Sequence, residues 1–308
     1  MPGATNERQP GSAAQPVVFV TCSGGLHGHG HDASSKRAAA RRVAGLLGLE
    51  FAGDYDPAAA YAAAPYFVPD ETLVLAHASR LGIRDQHQLL GGVVPHPFVA
   101  SKVITHRLAD ADAQAPSGWQ PAFGERVLDV VLPGYSAFSR ADARRAGGLL
   151  LASAPVRLKR PHGVGGRGQT VVRDTRELEA GLDAIDAIDP SEIGRDGLVL
   201  EYDLSDVKTL SVGQVLLGGM QITYCGTQRL TTANDGSQVY GGSELFVARG
   251  DWDALLKLAL APQTRLAIDQ ARTYHEAAGS VFEGMFASRS KKAGALIKYA
   301  RLLPHGHP

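Results

Sequence analysis

The chain has 308 residues, of which 44% are hydrophobic and 20% charged, a balance typical of a globular protein with an apolar core. Its formal net charge is zero, so no overall basic field favours binding to nucleic acid or to an anionic membrane. Two cysteines are too few for a disulfide framework, and no apolar run reaches the roughly 18 to 20 residues that span a bilayer. Together these features predict a cytoplasmic protein.

The first part of the chain predicts a polar, disordered leader, residues 1–15, and then a small α/β domain, residues 16–95. An apolar, β-branched run predicts a buried strand at residues 17–21, and a helical pattern follows at Lys36–Leu47. Strands at residues 49–53 and 66–68 and a helix at residues 71–81 are also expected. Glycine and proline become frequent at residues 91–98, which indicates a hinge between domains.

The remaining sequence predicts a second domain, residues 96–290, and an atypical basic tail, residues 291–308. Ser139 with Asp142 three residues later resembles a helix-capping pair, which places the start of one helix. Helices are expected at residues 100–108, 139–151 and 175–188. Strands are expected at residues 126–132, 197–204 and, as a run, 209–226, and a hairpin turn at Asn234-Asp235-Gly236.

The most informative motif joins two β-rich runs, residues 156–159 and 169–172, through a glycine-rich loop. Lys159 stands at the entrance of this loop, and the loop contains Gly163, Gly165, Gly166 and Gly168. Glycines allow backbone N–H groups to approach phosphate oxygens closely, and a lysine supplies a compact positive charge. The motif therefore predicts a phosphate-binding flap, while an ordinary glycine-rich hairpin remains the alternative for the loop taken alone.

Two other kinds of phosphate-binding loop fit this motif poorly. A Walker-type loop ends in Gly-Lys-Ser/Thr, whereas here Gly168 is followed by Gln169 and Thr170 and the lysine lies upstream. A dinucleotide-binding fingerprint requires its glycines to open a helix, but the next residues form a β-branched run. The order strand, glycine loop, strand is that of a flap closing over a nucleotide.

Three further segments lie in a recognisable order around this flap. Lys102 begins a predicted helix upstream of it. Downstream, the strand Leu198–Leu204 contains Glu201, and Thr209–Gly219 has the pattern of a strand followed by a turn. Together with Lys159, these segments resemble the ATP-grasp superfamily, in which two α+β subdomains hold ATP between them. The resemblance covers about residues 96–285.

Four segments resemble in particular an uncharacterised bacterial family of unknown function with an ATP-grasp-like fold. These segments are Leu132–Tyr135, the flap, Tyr224–Thr231 and Val239–Ser243. The resemblance implies an α/β and α+β protein, an ATP-grasp-like fold with a small preceding α/β domain. It also implies that ATP and Mg²⁺ are the cofactors.

The resemblance assigns nucleotide-binding roles to individual residues. Lys102 and Lys159 correspond to the two phosphate-binding lysines, with the flap glycines beside them. Glu201 is the acidic residue beside the adenine, and Tyr202, Asp203 and Leu204 supply the backbone groups that read the base. Lys208 stands where members of the superfamily hold the ribose or a phosphate.

The resemblance also implies a reaction, the ATP-dependent joining of a carboxylate to an amine through an acylphosphate. The partners would be nucleotide and a small-molecule carboxylate that the sequence does not identify. Arg229 is the candidate for holding the anionic substrate or intermediate. A surface arginine paired with an acidic side chain is the equally weighted alternative for that residue.

The metal ligands of this sequence remain unassigned. ATP-grasp enzymes usually bind metal through one acidic residue and a Glu-x-Asn on a later strand, and that second pattern is not found in this sequence. Glu244, Asp251 and Glu283 are the acidic candidates. The alternative function is therefore a non-catalytic or degenerate nucleotide-binding protein that lacks a complete metal site.

A histidine-rich loop after the first strand suggests a third class of function. His27, His29 and His31 alternate with glycines, and imidazoles at this spacing can bind Zn²⁺, Ni²⁺ or Cu²⁺. A flexible loop with alternating ligands seldom holds a preformed metal site. A loop at the carboxyl end of a first strand can instead contact a substrate.

Overall fold

The computed structural model describes residues 15–22, 31–163, 168–205, 208–232, 236, 238–282 and 300–301. These residues divide into two compact units. Unit 1 contains the described residues up to Val93 together with Leu216–Gly219, and unit 2 contains the remainder. Residues 1–14 of the predicted leader, nearly all of the basic tail, the turn residues Asn234 and Asp235, and His27 and His29 lie outside the described residues.

Unit 1 is built on a parallel three-stranded sheet with its first strand in the centre. β1 (Val17–Val20) lies between β2 (Phe51–Asp54) and β3 (Tyr66–Pro69), and α1 (His31–Leu47) connects β1 to β2. All four residues of β1 are buried, because a central parallel strand is covered on both faces. The predicted first strand and the helix that follows it are confirmed.

The helix predicted at residues 71–81 is shorter than expected. The chain forms a two-residue strand, β4 (Leu73–Val74), before α2 (Leu75–Arg80) begins. β4 pairs with β5 (Val93–Val94), and Leu73 is buried in an apolar cluster with Val18 and Phe67. Strand pairing and burial of Leu73 therefore replace the first helical turn.

Unit 2 contains a four-stranded antiparallel sheet in the order β6, β9, β7, β8. Its strands are β6 (Gly134–Ala137), β7 (Val156–Lys159), β8 (Gln169–Val172) and β9 (Leu198–Tyr202). The helices that accompany it are α4 (Arg140–Leu151), α5 (Thr175–Ile188) and α6 (Glu192–Asp196). Val156 and Leu158 of β7 pack into the core shared with α4 and α5, so the alternate residue Lys159 points to the other face.

The two longer helices of this layer begin at side-chain caps. The Ser139 hydroxyl accepts a hydrogen bond from the backbone N–H of Asp142, and the Asp174 carboxylate accepts one from the N–H of Glu177. Such caps satisfy amides that have no partner within the helix. The helices predicted at residues 139–151 and 175–188 are confirmed.

Two predicted elements before β6 are wrong. Residues 100–108 form a short 3₁₀ turn at Lys102–Thr105, because Ser101 caps it and His106 returns to extended backbone. Residues 126–132 form no strand. Instead α3 (Pro121–Arg126) and a 3₁₀ turn (Leu128–Val130) bury Phe123 and Val127 in an aromatic cluster.

Two adjacent glycines in α4 provide a matched test of the packing between α4 and α5. A Cβ atom at Gly147 would lie 2.5 Å from a terminal carbon of the fully buried Leu178, whereas one at Gly148 would meet nothing within 4 Å. We expect Gly147→Ala to lower the unfolding free energy by about 1–3 kcal/mol through overpacking. Gly148→Ala should raise it by up to about 1 kcal/mol through helix propensity. Urea unfolding measures both, and equal effects would contradict this account.

The second sheet of unit 2 has the order β12, β11, β10, β13. Its strands are β10 (Thr209–Leu217), β11 (Met220–Thr232), β12 (Gln238–Arg249) and β13 (Ala300–Arg301). α7 (Trp252–Leu256) and α8 (Pro262–Phe282) follow β12, and their residues Leu255 and Ile268 share an apolar core with Val212 of β10. Gly218 and Gly219 both have positive φ in the turn between β10 and β11, as a tight hairpin requires.

The predicted mixture of helices and strands is confirmed by this architecture. Within the ranges given above, no helix combines the length and apolar character needed to cross a bilayer.

Candidate functional site

A buried ion pair lies on the face of the first unit 2 sheet that α4 and α5 leave uncovered. Lys159 is the last residue of β7, and Glu201 lies on the adjacent strand β9. The Lys159 ammonium contacts the Glu201 carboxylate, and these side chains are only 13% and 8% exposed. The structure therefore brings together two of the residues that the sequence analysis predicted for nucleotide binding.

The same carboxylate also contacts a histidine that the sequence analysis did not select. Nε2 of His106 lies 3.4 Å from the second carboxylate oxygen of Glu201, and the imidazole is almost completely buried. Burial alone would raise the pKa of Glu201, but the hydrogen bond from His106 and the charge of Lys159 outweigh it and lower the pKa to about 2. Glu201 is consequently ionised at neutral pH.

Lys102, the first residue of the 3₁₀ turn Lys102–Thr105, lies near Lys159 and Glu201. Its ammonium donates hydrogen bonds to the carbonyl oxygens of Gly163, at 2.6 Å, and Arg160, at 3.2 Å. Burial and the nearby charge of Lys159 lower the pKa of Lys102 to about 8, although Glu201 acts in the opposite direction. The first predicted phosphate-binding lysine therefore lies against the root of the predicted flap.

The two ends of the flap are joined by a backbone hydrogen bond, and an ion pair to α6 holds the first end. The N–H of Arg160 donates to the carbonyl of Gly168 at 3.1 Å, and Gly168 has a φ of +67°. The Arg160 guanidinium makes two hydrogen bonds of 2.5 Å to the buried carboxylate of Glu192 in α6. Gly163 and Gly168 lie at the two ends of the loop, whereas Gly165 and Gly166 fall outside the described residues.

The end of β9 is more fully hydrogen-bonded than the predicted base-reading role requires. The N–H of Tyr202 donates to the carbonyl of Pro133 at 3.0 Å, and that of Asp203 donates to the carbonyl of Pro155 at 2.8 Å. The Asp203 carboxylate accepts a 2.8 Å hydrogen bond from Arg157. Among these three residues, this leaves the Leu204 N–H as the amide that could donate to a nucleotide base.

The remaining predicted residues do not join this group. Lys208 is exposed just before β10. Arg229 on β11 donates a 3.1 Å hydrogen bond to Glu244 on the paired strand β12, and these side chains are 72% and 70% exposed. That contact is the surface ion pair that the sequence analysis weighed as the alternative for Arg229.

The acidic candidates for metal binding have other surroundings. Asp251 caps α7 by accepting a hydrogen bond from the N–H of Ala254, Glu244 is paired with Arg229, and Glu283 lies outside the described residues. Across the described ranges, no group of three or more His, Cys, Asp or Glu side chains could hold a metal ion.

Sequence reasoning missed His106 and the glycine that makes room for it. A Cβ atom at Gly134 would lie 2.9 Å from the His106 ring and 3.0 Å from the Glu201 side chain. Gly134 belongs to the segment Leu132–Tyr135, whose sequence alone indicates a family resemblance and not a contact with a histidine. The contact of His106 with Glu201 is made through the tertiary fold, so the sequence carries no local signal for it.

A comparison with curated proteins found no match for the chain. Solved structures with a similar fold have low sequence identity to it. The fold is similar to D-alanyl-alanine synthetase A from Vibrio cholerae O1 biovar eltor str. N16961, with 12% identity, 88% of this chain and 82% of that chain covered, and a TM-score of 0.49. The fold is also similar to D-alanine--D-alanine ligase from Bacillus anthracis. The identity is 10%, the match covers 86% of this chain and 79% of that chain, and the TM-score is 0.47.

A third similar structure is the RimK domain protein ATP-grasp from Sphaerobacter thermophilus DSM 20745. Its identity is 12%, the match covers 87% of this chain and 98% of that chain, and the TM-score is 0.35. A family model described as "Protein of unknown function (DUF3182)" matches residues 19–292. Since this match includes most of the sequence, the chain belongs to that family.

Proposed function

We propose that this protein binds ATP at the Lys102, Lys159 and Glu201 group and belongs functionally with ATP-grasp ligases. The observation that carries the proposal is the burial of two lysine ammonium groups beside one carboxylate at the root of a glycine-rich loop. Lys102 is a desolvated cation whose ammonium donates to two carbonyl oxygens. An anionic phosphate chain beside both lysines would stabilise their charged forms.

Each residue of the group has a definite role in this proposal. Lys102 and Lys159 would bind phosphate oxygens, and the four flap glycines would bring backbone N–H groups to them. Glu201 holds the Lys159 ammonium in position. The Leu204 N–H and the carbonyls of Tyr202 and Asp203 would read the base, and Lys208 would reach the ribose or a phosphate.

The reaction proposed for the bound nucleotide is acyl transfer to an amine. A carboxylate oxygen of the substrate attacks the γ-phosphorus, the bond to the β,γ-bridging oxygen breaks, and ADP leaves. The amine nitrogen then attacks the acyl carbon, the amine loses a proton, and phosphate leaves. Arg229 remains the candidate for holding the anionic substrate, for which its ion pair with Glu244 would have to open.

Mg²⁺ would bridge phosphate oxygens in such a reaction, and the described residues contain no group of three or more His, Cys, Asp or Glu side chains that could hold it. We therefore assign no step to a metal ion. The second candidate function is a nucleotide-binding protein without ligase activity, because the sequence lacks the Glu-x-Asn pattern through which ATP-grasp enzymes usually bind metal.

Calorimetric titration of the full chain with Mg-ATP tests the proposal, and an assay for ADP release with pooled carboxylates and amines follows in the same sample. Binding with ADP release that depends on the pools supports the ligase. Binding without release supports the second candidate, and a folded chain that does not bind would overturn both. Lys257→Ala, which removes an exposed lysine at the end of α7, is the matched charge control and should bind as the wild type does.

A further inference from the structure

We propose that His106 is a positioning residue for the nucleotide site, acting through Glu201 on Lys159. This inference rests on the proposed function. The three side chains come from separate parts of unit 2: His106 follows a 3₁₀ turn, Glu201 lies on β9 and Lys159 ends β7. Glu201 lies between the other two, with one carboxylate oxygen toward each.

The hydrogen-bonding chemistry determines which form of His106 occupies this position. An ionised carboxylate only accepts hydrogen bonds, so the Nε2 atom that faces Glu201 must carry a proton. The imidazole is thus the donor in this contact. Its neutral Nε2–H tautomer suffices for that purpose.

The backbone around His106 keeps the ring in place. The N–H of Ser136 in β6 donates to the carbonyl of Arg107 at 3.0 Å, and Leu108 forms a β-bridge with Ser136. The Ser136 hydroxyl donates to the carbonyl of Val103 on the other side of the histidine. His106 is therefore held between two attachments to β6, over the space that Gly134 leaves open.

A second donor to Glu201 matters once a phosphate binds. The Lys159 ammonium has three N–H groups, and a phosphate oxygen would draw that ammonium away from Glu201. The hydrogen bond from His106 holds the second carboxylate oxygen of Glu201 while the lysine moves toward phosphate. Lys159 is then shared between two anions at a defined place.

Three substitutions at position 106 separate hydrogen bonding from packing. Glutamine can place an amide N–H close to the position of Nε2, asparagine is too short to do so, and leucine has no donor. We expect Mg-ADP affinity to fall about tenfold in His106→Leu and His106→Asn, because a displaced Lys159 ammonium would make a weaker charge-assisted contact with phosphate. His106→Gln should stay within about threefold of the wild type.

A double-variant cycle with Glu201→Gln tests whether His106 acts through Glu201. His106→Leu should cause no further loss of Mg-ADP affinity in the Glu201→Gln background. Additive losses, or equal losses in His106→Gln and His106→Asn, would overturn the positioning role. Should His106→Leu not fold, His106→Asn takes its place in the cycle.

The failure of this inference can be told apart from failure of the proposed function. A wild-type chain that does not bind Mg-ADP or Mg-ATP overturns the nucleotide site, and the role of His106 with it. A wild-type chain that binds, with unchanged affinity in His106→Asn and His106→Leu, overturns the role of His106 alone. Thermal unfolding of each variant confirms that the affinities compare folded proteins.

Discussion

Lys159→Met is expected to destabilise the fold and to abolish nucleotide binding in the same protein. The substitution leaves the ionised Glu201, which is 8% exposed, without its positively charged partner. Removing one member of a buried ion pair typically costs about 3–5 kcal/mol of unfolding free energy. Urea unfolding at pH 7 measures that loss, and calorimetry with Mg-ATP measures the binding.

The double variant Lys159→Met/Glu201→Gln separates the two effects. Neutralising Glu201 removes the buried charge that Lys159 had balanced, so most of the lost stability should return, whereas nucleotide binding should not. Recovery of binding in the double variant would show that Lys159 does not contact phosphate. Equal instability of the single and double variants would show that the ion pair is not the cause.

The stability that the protein loses in Lys159→Met should depend on pH. Glu201 has its pKa lowered to about 2 in the folded wild-type protein. Its contribution to stability is therefore present above the unfolded pKa, near 4.3, and is lost as the pH falls toward 2. In the variant the carboxylate lacks the lysine charge that favours its ionised form, so protonation becomes easier. The difference in stability between wild type and variant should accordingly shrink as the pH falls below about 5.

Lys102→Met should weaken nucleotide binding by about tenfold to a hundredfold, the range for charge-assisted hydrogen bonds, without a comparable loss of stability.

Lys102 is a desolvated cation whose pKa is lowered to about 8, so its charged form is disfavoured in the folded protein. The unfolded chain binds the proton more tightly, and the wild-type stability should rise with pH between about 8 and 10.4. The variant should lack that rise.

Binding of phosphate to Lys102 should also be visible as proton uptake. A phosphate oxygen stabilises the ammonium form, so the pKa of Lys102 rises when the nucleotide binds. At pH 8, where the free site is about half protonated, we expect uptake of up to about 0.5 proton from this group. Calorimetry in two buffers of different ionisation enthalpy measures the uptake, with Lys102→Met as the control. Identical uptake in that variant would exclude Lys102 as the source.

The elements that the sequence predicts well are those determined by local interactions. The helix at Thr175–Ile188 has a capping aspartate and an apolar face, and the strands β7 and β8 border a glycine loop. The failures at residues 100–108 and 126–132 come from tertiary contacts. Ser101 and His106 interrupt a helical pattern, and burial of Phe123 and Val127 turns a strand-like sequence into helix.

The candidate site shows the same division between residues that the sequence indicates and contacts that only the tertiary fold makes. The resemblance to the ATP-grasp superfamily pointed to Lys102, Lys159 and Glu201, and the structure brings these three residues together. The contact of His106 with Glu201 joins residues 95 positions apart, so no local pattern reveals it. The ion pair between Arg160 and Glu192, 32 positions apart, escaped prediction for the same reason.

Arg157 links the two ends of the proposed nucleotide site mechanically. Its guanidinium donates to Asp203 at the end of β9, at 2.8 Å, and to Gln169 at the start of β8, at 3.1 Å. The place proposed for the base and the strand that leaves the flap are thus joined through one side chain that bridges three strands. A ligand that displaced Asp203 would therefore remove the hydrogen bonds by which Asp203 orients the guanidinium that holds Gln169.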